Sequence, residues 1–193
     1  IGAGYYLKKN CPNKSFCIIE GRENIGGTWD LFKYPGIRSD SDMFTLGYAF
    51  KPWKEQKTIA NGPSILSYLE ETVEENNLRE KIKFSHKVVS ANWNSGSQKW
   101  EVRAVHHEQE ILLTANFLFM GTGYYNYDEG YTPDFNDLNK YEGKLIHPQK
   151  WPEDYDYTDK KMVVIGSGAT AATIIPELSK KAKHVTMLQR SPT

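Results

Sequence analysis

The run from Lys161 to Gln189 constrains the fold more than any other stretch of the chain. Lys161–Ile165 is almost wholly apolar and reads as a strand. It leads into Gly166-Ser167-Gly168-Ala169-Thr170-Ala171, after which a helix is expected through about Lys181 and a second strand over His184–Gln189. Glycines at a strand-to-helix turn permit the tight bend and bring backbone N–H groups up to a pyrophosphate at the helix N-terminus. The Gly-x-Gly-x-x-Ala spacing in this setting predicts a βαβ unit that binds a dinucleotide.

The start of the chain carries a second, shorter version. Ile1-Gly2-Ala3-Gly4 reads as a strand end running into a phosphate turn, followed by a helix over Tyr5–Asn10 and a strand over Ser15–Glu20. The third glycine is missing. The interval from Gly2 to Glu20 is about half a dozen residues short of the matching interval from Gly166 to Gln189. The stretch reads as a phosphate loop lacking residues after Gly4.

Charge distinguishes the two units. Glu20 closes the first, and its carboxylate can accept hydrogen bonds from ribose hydroxyls while repelling a 2′-phosphate, which suits FAD or NAD. The second closes on Gln189-Arg190-Ser191, a guanidinium beside a hydroxyl, which suits the 2′-phosphate of NADPH. FAD first and NADPH second is the economical assignment. The expected class is α/β, with two Rossmann-like dinucleotide-binding domains.

Between them the chain changes character twice. Gly26–Asp40 has too little apolar periodicity for a helix or strand and reads as an ordered loop, with glycine turns on both sides of an aromatic centre. Asn61-Gly62-Pro63 then opens a helix whose apolar face carries Ile65, Leu66, Leu69 and Val73; Glu70, Glu71, Glu74 and Glu75 read as its solvated side. Val88–Trp93 and Trp100–Val105 flank a hairpin turn at Asn94-Ser95-Gly96-Ser97. Ile111–Leu113 and Phe117–Met120 continue this small antiparallel meander into Gly121-Thr122-Gly123. His106 and His107 are expected in an exposed turn. The expected domains are an FAD-binding domain over 1–123, a linker rich in Tyr, Pro and Asp over 124–160, and the start of an NADP-binding domain over 161–193. Both ends read as cuts in a longer protein.

Composition narrows the partners. A formal net charge of zero gives no reason to expect nucleic acid or an anionic membrane. No apolar run approaches the roughly 20 residues that span a bilayer. Cys11 and Cys17 form neither a CxxC nor a metal-ligand pattern, so they are expected as reduced structural thiols in a cytoplasmic protein, with no metal.

Together these residues resemble the flavin-dependent monooxygenases that use NADPH. Gly26, Gly27, Trp29, Tyr34, Pro35, Gly36 and Asp40 match every fixed position of the type I Baeyer–Villiger signature. Gly143, His147, Trp151 and Pro152 match a second signature of the class, with Tyr141 in place of its first Phe, a conservative departure. The resemblance continues through Trp29–Phe50, Gly121–Asp128 and Gly166–Pro192.

The resemblance implies that NADPH reduces FAD and that a C4a-peroxyflavin formed with O2 inserts oxygen into a ketone, giving an ester or lactone. It also implies oxidation of thioether or thioamide sulfur, with these small molecules and O2 as partners and a homo-oligomer left open. It places Gly2, Gly4, Glu20, Thr28, Trp29, Asp30, Leu31, Asp40 and Val88 at FAD, with Gly26–Asp40 against the isoalloxazine ring. It places Arg38, Ser39, Asp40, Gly166, Ser167, Gly168, Ala169, Thr170, Ala171, Ala172, Arg190 and Ser191 at NADP. Asp40 would support an active-site arginine beyond Thr193, and His147 with Trp151 would link the domains. Without the resemblance, Asp40 reads as a residue capping the next turn, within a capping sequence over Ser39–Asp42. The alternatives are a monooxygenase acting mainly on N or S, and a non-catalytic nucleotide-binding flavoprotein. A flavin disulfide reductase would need a redox cysteine pair that Cys11 and Cys17 do not form.

Overall fold

The computed structural model describes residues 1–191, so Pro192 at the end of the resemblance lies outside the described residues. The chain packs as two compact units, one of residues 1–27 and 66–124, the other of 28–65 with the residues from 125 on.

In the first unit, helix α1 (Gly2–Asn10) starts at the glycines, with Ile1 as its N-cap residue. Gly2-Ala3-Gly4 is therefore the first turn of a helix and not a strand end leading into a turn. Gly4 is buried, and a Cβ there would sit 3.0 Å from Ile18 Cδ1 and 3.6 Å from the Phe16 ring. Glycine at this position lets the helix lie close against the following strand. That strand is shorter than Ser15–Glu20: β1 (Ile18–Ile19) pairs in parallel with β2 (Ile82–Lys83). Ile25, Val73, Leu78 and Ile82 form the core around them.

The expected meander is present as β3 (Lys87–Asn94), β4 (Lys99–His106) and β5 (Gln109–Ala115), antiparallel and adjacent in chain order. The Asn94 side-chain carbonyl accepts from the Gly96 and Ser97 N–H groups at 2.9 and 3.1 Å, which closes the first hairpin. Trp93 and Trp100 meet edge-to-face across it, with centroids 5.8 Å apart. Phe117–Met120 joins no ladder among the described residues, and Phe117, Phe119 and Met120 are exposed. An apolar run becomes a strand only where a neighbour supplies hydrogen-bond partners, which local sequence does not reveal. His106 is half-buried and stacks on His86 at 4.1 Å, whereas His107 is exposed as the turn context suggested. Cys11 and Cys17 are free and exposed, so neither is a packed structural thiol.

The second unit holds two one-turn helices, α2 (Thr28–Leu31) and α3 (Met43–Leu46). Helix α4 (Gly62–Glu75) starts in this unit and ends in the first. Asn61 Oδ1 accepts from Ser64 N–H at 2.8 Å, capping α4 where Pro63 occupies its first turn. Ile65, Tyr68, Thr72 and Val73 are buried along it. The acids read as the solvated side do face solvent, and there Glu70 and Glu74 pair with Arg79 in exposed bridges of little energetic weight.

Further on, β6 (Lys161–Ile165) and β7 (His184–Leu188) pair in parallel from Lys161↔His184 to Ile165↔Leu188, with α5 (Ala169–Leu178) connecting them. Phe32, Tyr34, Ile174 and Leu178 form the core of this unit, with Trp151, Met162, Val164 and Val185 against it.

Candidate functional site

The Gly166 turn has the geometry that its spacing predicts. Gly166 sits at φ +124°, a conformation that side chains rarely tolerate, and its N–H donates to the Leu188 carbonyl at 2.9 Å. A Cβ at Gly166 or at Gly168 would meet nothing within 4 Å, so the space above the turn is open. Gly168 is the N-cap residue of α5 and provides no side-chain cap. The first N–H groups of a helix have no intrahelical acceptor, so such an end attracts an anion. Arg190 and Ser191 follow β7 and are exposed.

The Gly26–Asp40 segment is only partly a loop. Gly26 and Gly27 both have positive φ, +107° and +51°, and turn the chain into α2, where Thr28-Trp29-Asp30-Leu31 makes a single helical turn. Phe32 and Tyr34 are buried, and Phe32 packs edge-to-face on Tyr34 and on Tyr125. Beyond the Gly36 turn, Gly62 N–H donates to Ile37 O and Ser39 N–H to Ala60 O, both at 2.9 Å, with a β-bridge between Arg38 and Asn61.

Asp40 follows this clamp and is exposed, with no hydrogen bond or ion pair among the described residues. The cap of the next turn is Asp42, which accepts from Thr45 Oγ1 at 2.9 Å and from Thr45 N–H at 3.0 Å. These bonds, the hydroxyl's foremost, hold the Asp42 carboxyl below its ordinary range.

In the first unit, Glu20 follows β1 directly. One of its oxygens accepts from Arg22 N–H at 2.9 Å. Val88 is exposed on β3, where the register shifts between Val88 and Ser90. Gly2, Gly4, Glu20 and Val88 thus lie in the first unit, whereas Thr28–Leu31, Arg38–Asp40, Gly166–Ala172, Arg190 and Ser191 lie in the second.

His147 and Trp151 also belong to the second unit. His147 Nδ1 accepts from Gln149 N–H at 3.2 Å, starting the 3-10 turn Pro148–Lys150. Gln149 is buried and donates through Nε2 to Asn126 O at 2.8 Å. Trp151 packs edge-to-face on Tyr155 and Tyr157. These three rings, with Lys33, Pro35 and Lys181, line an open cleft of about 510 Å³.

Sequence reasoning missed two contacts. Tyr34 Oη lies 3.2 Å from Thr173 Oγ1, and Gly36 presses on the α5 backbone. The only local signal was Thr173, a single hydroxyl in the apolar run Ala171–Ile175.

The chain is 54% identical to the FAD-containing monooxygenase EthA of Mycolicibacterium smegmatis, over all of this chain and 39% of that protein. It therefore spans about two fifths of the length of that relative. It superimposes with a TM-score of 0.81 on OTEMO in complex with FAD and NADP, at 29% identity over 98% of this chain and 37% of that one. On cyclohexanone monooxygenase from Rhodococcus sp. Phi1 bound to NADP+, the TM-score is 0.82, at 26% identity over 100% of this chain and 36% of the other. Among the described residues no helix is long and apolar enough to cross a membrane. The flavin-binding monooxygenase-like family matches residues 46–193, and the chain belongs to that family.

Proposed function

We propose that this chain is the cofactor-binding portion of an FAD- and NADPH-dependent monooxygenase. In this reading, one atom of O2 is inserted into a ketone to give an ester or lactone, and the other leaves as water with electrons from NADPH. Thioether or thioamide sulfur is a second acceptor. The observation that carries the reading is the open glycine turn at Gly166–Gly168 ahead of an α5 end with no side-chain cap. It lies in a chain 54% identical to a protein named an FAD-containing monooxygenase.

The residues fit NADP. The pyrophosphate would lie over Gly166–Ala172, where Gly166 and Gly168 carry no side chain, with Arg190 and Ser191 holding the 2′-phosphate. Arg38 and Asp40 would reach the same nucleotide from a segment clamped by the bonds to residues 60–62, with Ser39 buried between them and its hydroxyl donating to Ser41 O. The residues also fit the adenosine end of FAD: the Glu20 oxygen that does not hold Arg22 N–H can accept from a ribose hydroxyl, and Val88 presents an exposed apolar surface. Gly2 and Gly4 would flank that cofactor from the first turn of α1, and Thr28–Leu31 would lie along its ring system. When bound, the flavin supplies the oxygen activation that no side chain can.

What this chain contributes is orientation, charge and dryness. Asp40, exposed and without a partner here, suits the role of holding a guanidinium from the rest of the protein. Two Rossmann-like domains, FAD over 1–123 and NADP from 161, with 124–160 and its His147 and Trp151 between them, are the division we assign. A cytoplasmic location is part of the same reading.

The test uses the full-length protein, whose intact mass also reports any residues encoded between Gly4 and Tyr5. It should purify yellow, oxidise NADPH far faster than NADH, and convert linear, cyclic or aryl ketones to esters. Sulfoxides without any ester would leave a sulfur-oxidising enzyme. A colourless protein that FAD cannot reconstitute would overturn the reading.

A further inference from the structure

We propose that Tyr34 and Thr173 are positioning residues for the nicotinamide nucleotide, joined in a hydrogen-bond chain that ends on the first turn of α5. The inference rests on the reading that NADP binds at Gly166–Ala172.

Tyr34 and Thr173 are both buried, and their hydroxyl oxygens are 3.2 Å apart. Thr173 Oγ1 lies 3.0 Å from the carbonyl oxygens of both Ala169 and Thr170. Its single proton is directed to these acceptors, so the Tyr34 hydroxyl is the donor to Thr173. The chain runs from Tyr34 through Thr173 to Ala169 and Thr170, the residues that follow the Gly168 turn. A buried, fully paired chain of this kind fixes the groups it joins.

The backbone leaves the contact one seat. Gly36 has φ +83°, and a Cβ there would lie 2.5 Å from Thr173 O and 2.5 Å from Glu177 Cγ. Glu177 could swing aside, but a helix carbonyl cannot. The next residues, Ile37–Ser39, are tied to residues 60–62 by backbone bonds. One seat thus sets the register between two stretches that would both face the nucleotide, Arg38–Asp40 and Gly166–Ala172. The Tyr-Pro-Gly of the signature therefore acts on the nucleotide helix, besides any role it has in packing.

The test compares Tyr34→Phe, Thr173→Val and Thr173→Ser in the full-length flavoprotein. Thr173→Val should raise the NADP+ Kd roughly 5- to 50-fold, and the KM for NADPH more than it changes kcat. Tyr34→Phe should act in the same direction, and the double variant should be no worse than Thr173→Val. Thr173→Ser, which keeps the hydroxyl, should restore the Kd to within about threefold of wild type. Flavin content should not change. Folded variants with full flavin and an unchanged NADP+ Kd would overturn the proposal, as would a Thr173→Ser that binds no better than Thr173→Val. If Thr173→Val fails to fold, Tyr34→Phe decides by the same measure. A wild-type protein that binds no NADP+ would instead refute the reading on which the proposal rests.

Discussion

Gly130 lies directly against the imidazole of His147, and a Cβ built on it would overlap Cε1, Nδ1 and Nε2 of that ring. With Nδ1 accepting from Gln149 N–H, the neutral ring carries its hydrogen on Nε2. The glycine and the cap therefore hold His147 from two sides.

This contact predicts that Gly130→Ala destabilises the protein by about 1–3 kcal/mol, the usual cost of overpacking. In a His147→Ala background the same substitution should cost less than half as much. Denaturant unfolding of the two single variants and the double variant measures the coupling. Equal costs in both backgrounds would mean that the ring is not what Gly130 makes room for.

Gly36→Ala should be worse. It combines a φ of +83° with a helix carbonyl that cannot move away. A loss of about 2–4 kcal/mol is expected. Adding Glu177→Ala should recover only part of it, because the Thr173 carbonyl remains. Thermal melting of both variants checks this, and full recovery would contradict it.

Arg190→Ala should lower the preference for NADPH over NADH by about 10- to 100-fold, the worth of charge-assisted hydrogen bonds to a phosphate. The loss should fall on kcat/KM for NADPH while NADH changes little. Steady-state oxidation of both nucleotides measures it. A parallel loss with both would assign Arg190 a structural role.

Asp42 gives a pH dependence. Its folded pKa lies below the ordinary value of 3.8 because Thr45 donates to the charged form. A depressed carboxylate stabilises the fold above its unfolded pKa, and that contribution is lost as pH falls through the folded value. Asp42→Ala should therefore melt below wild type at neutral pH, with the gap closing only in strong acid. A gap independent of pH would show that the charge is not what caps α3.

Most of what could be read along the chain came from short-range rules. The βαβ unit was legible because an apolar run, a glycine turn and a helix follow one another without a long-range partner. The hairpin at Asn94-Ser95-Gly96-Ser97 was legible because alternation and turn chemistry are local, and the start of α4 because Asn61 and Pro63 are helix-start residues. Misread elements depended on neighbours. Phe117–Met120 had the composition of a strand but no ladder, and Gly2–Gly4 had turn glycines that a helix used for packing against Ile18. Of two nearby acids, Asp42 took the cap that the residue types alone could equally give to Asp40.

Residue identities along the chain were enough to specify a strand, glycine turn and helix in succession, a guanidinium beside a hydroxyl at the far end of that unit, and the fixed positions of a monooxygenase signature. Folding in three dimensions settled which of those pieces touch. Tyr34 and Thr173 stand far apart in the chain, and so do Gly36 and Glu177. Their contact depends on how a turn packs on a helix, a property of distances in space that spacing along a chain does not encode.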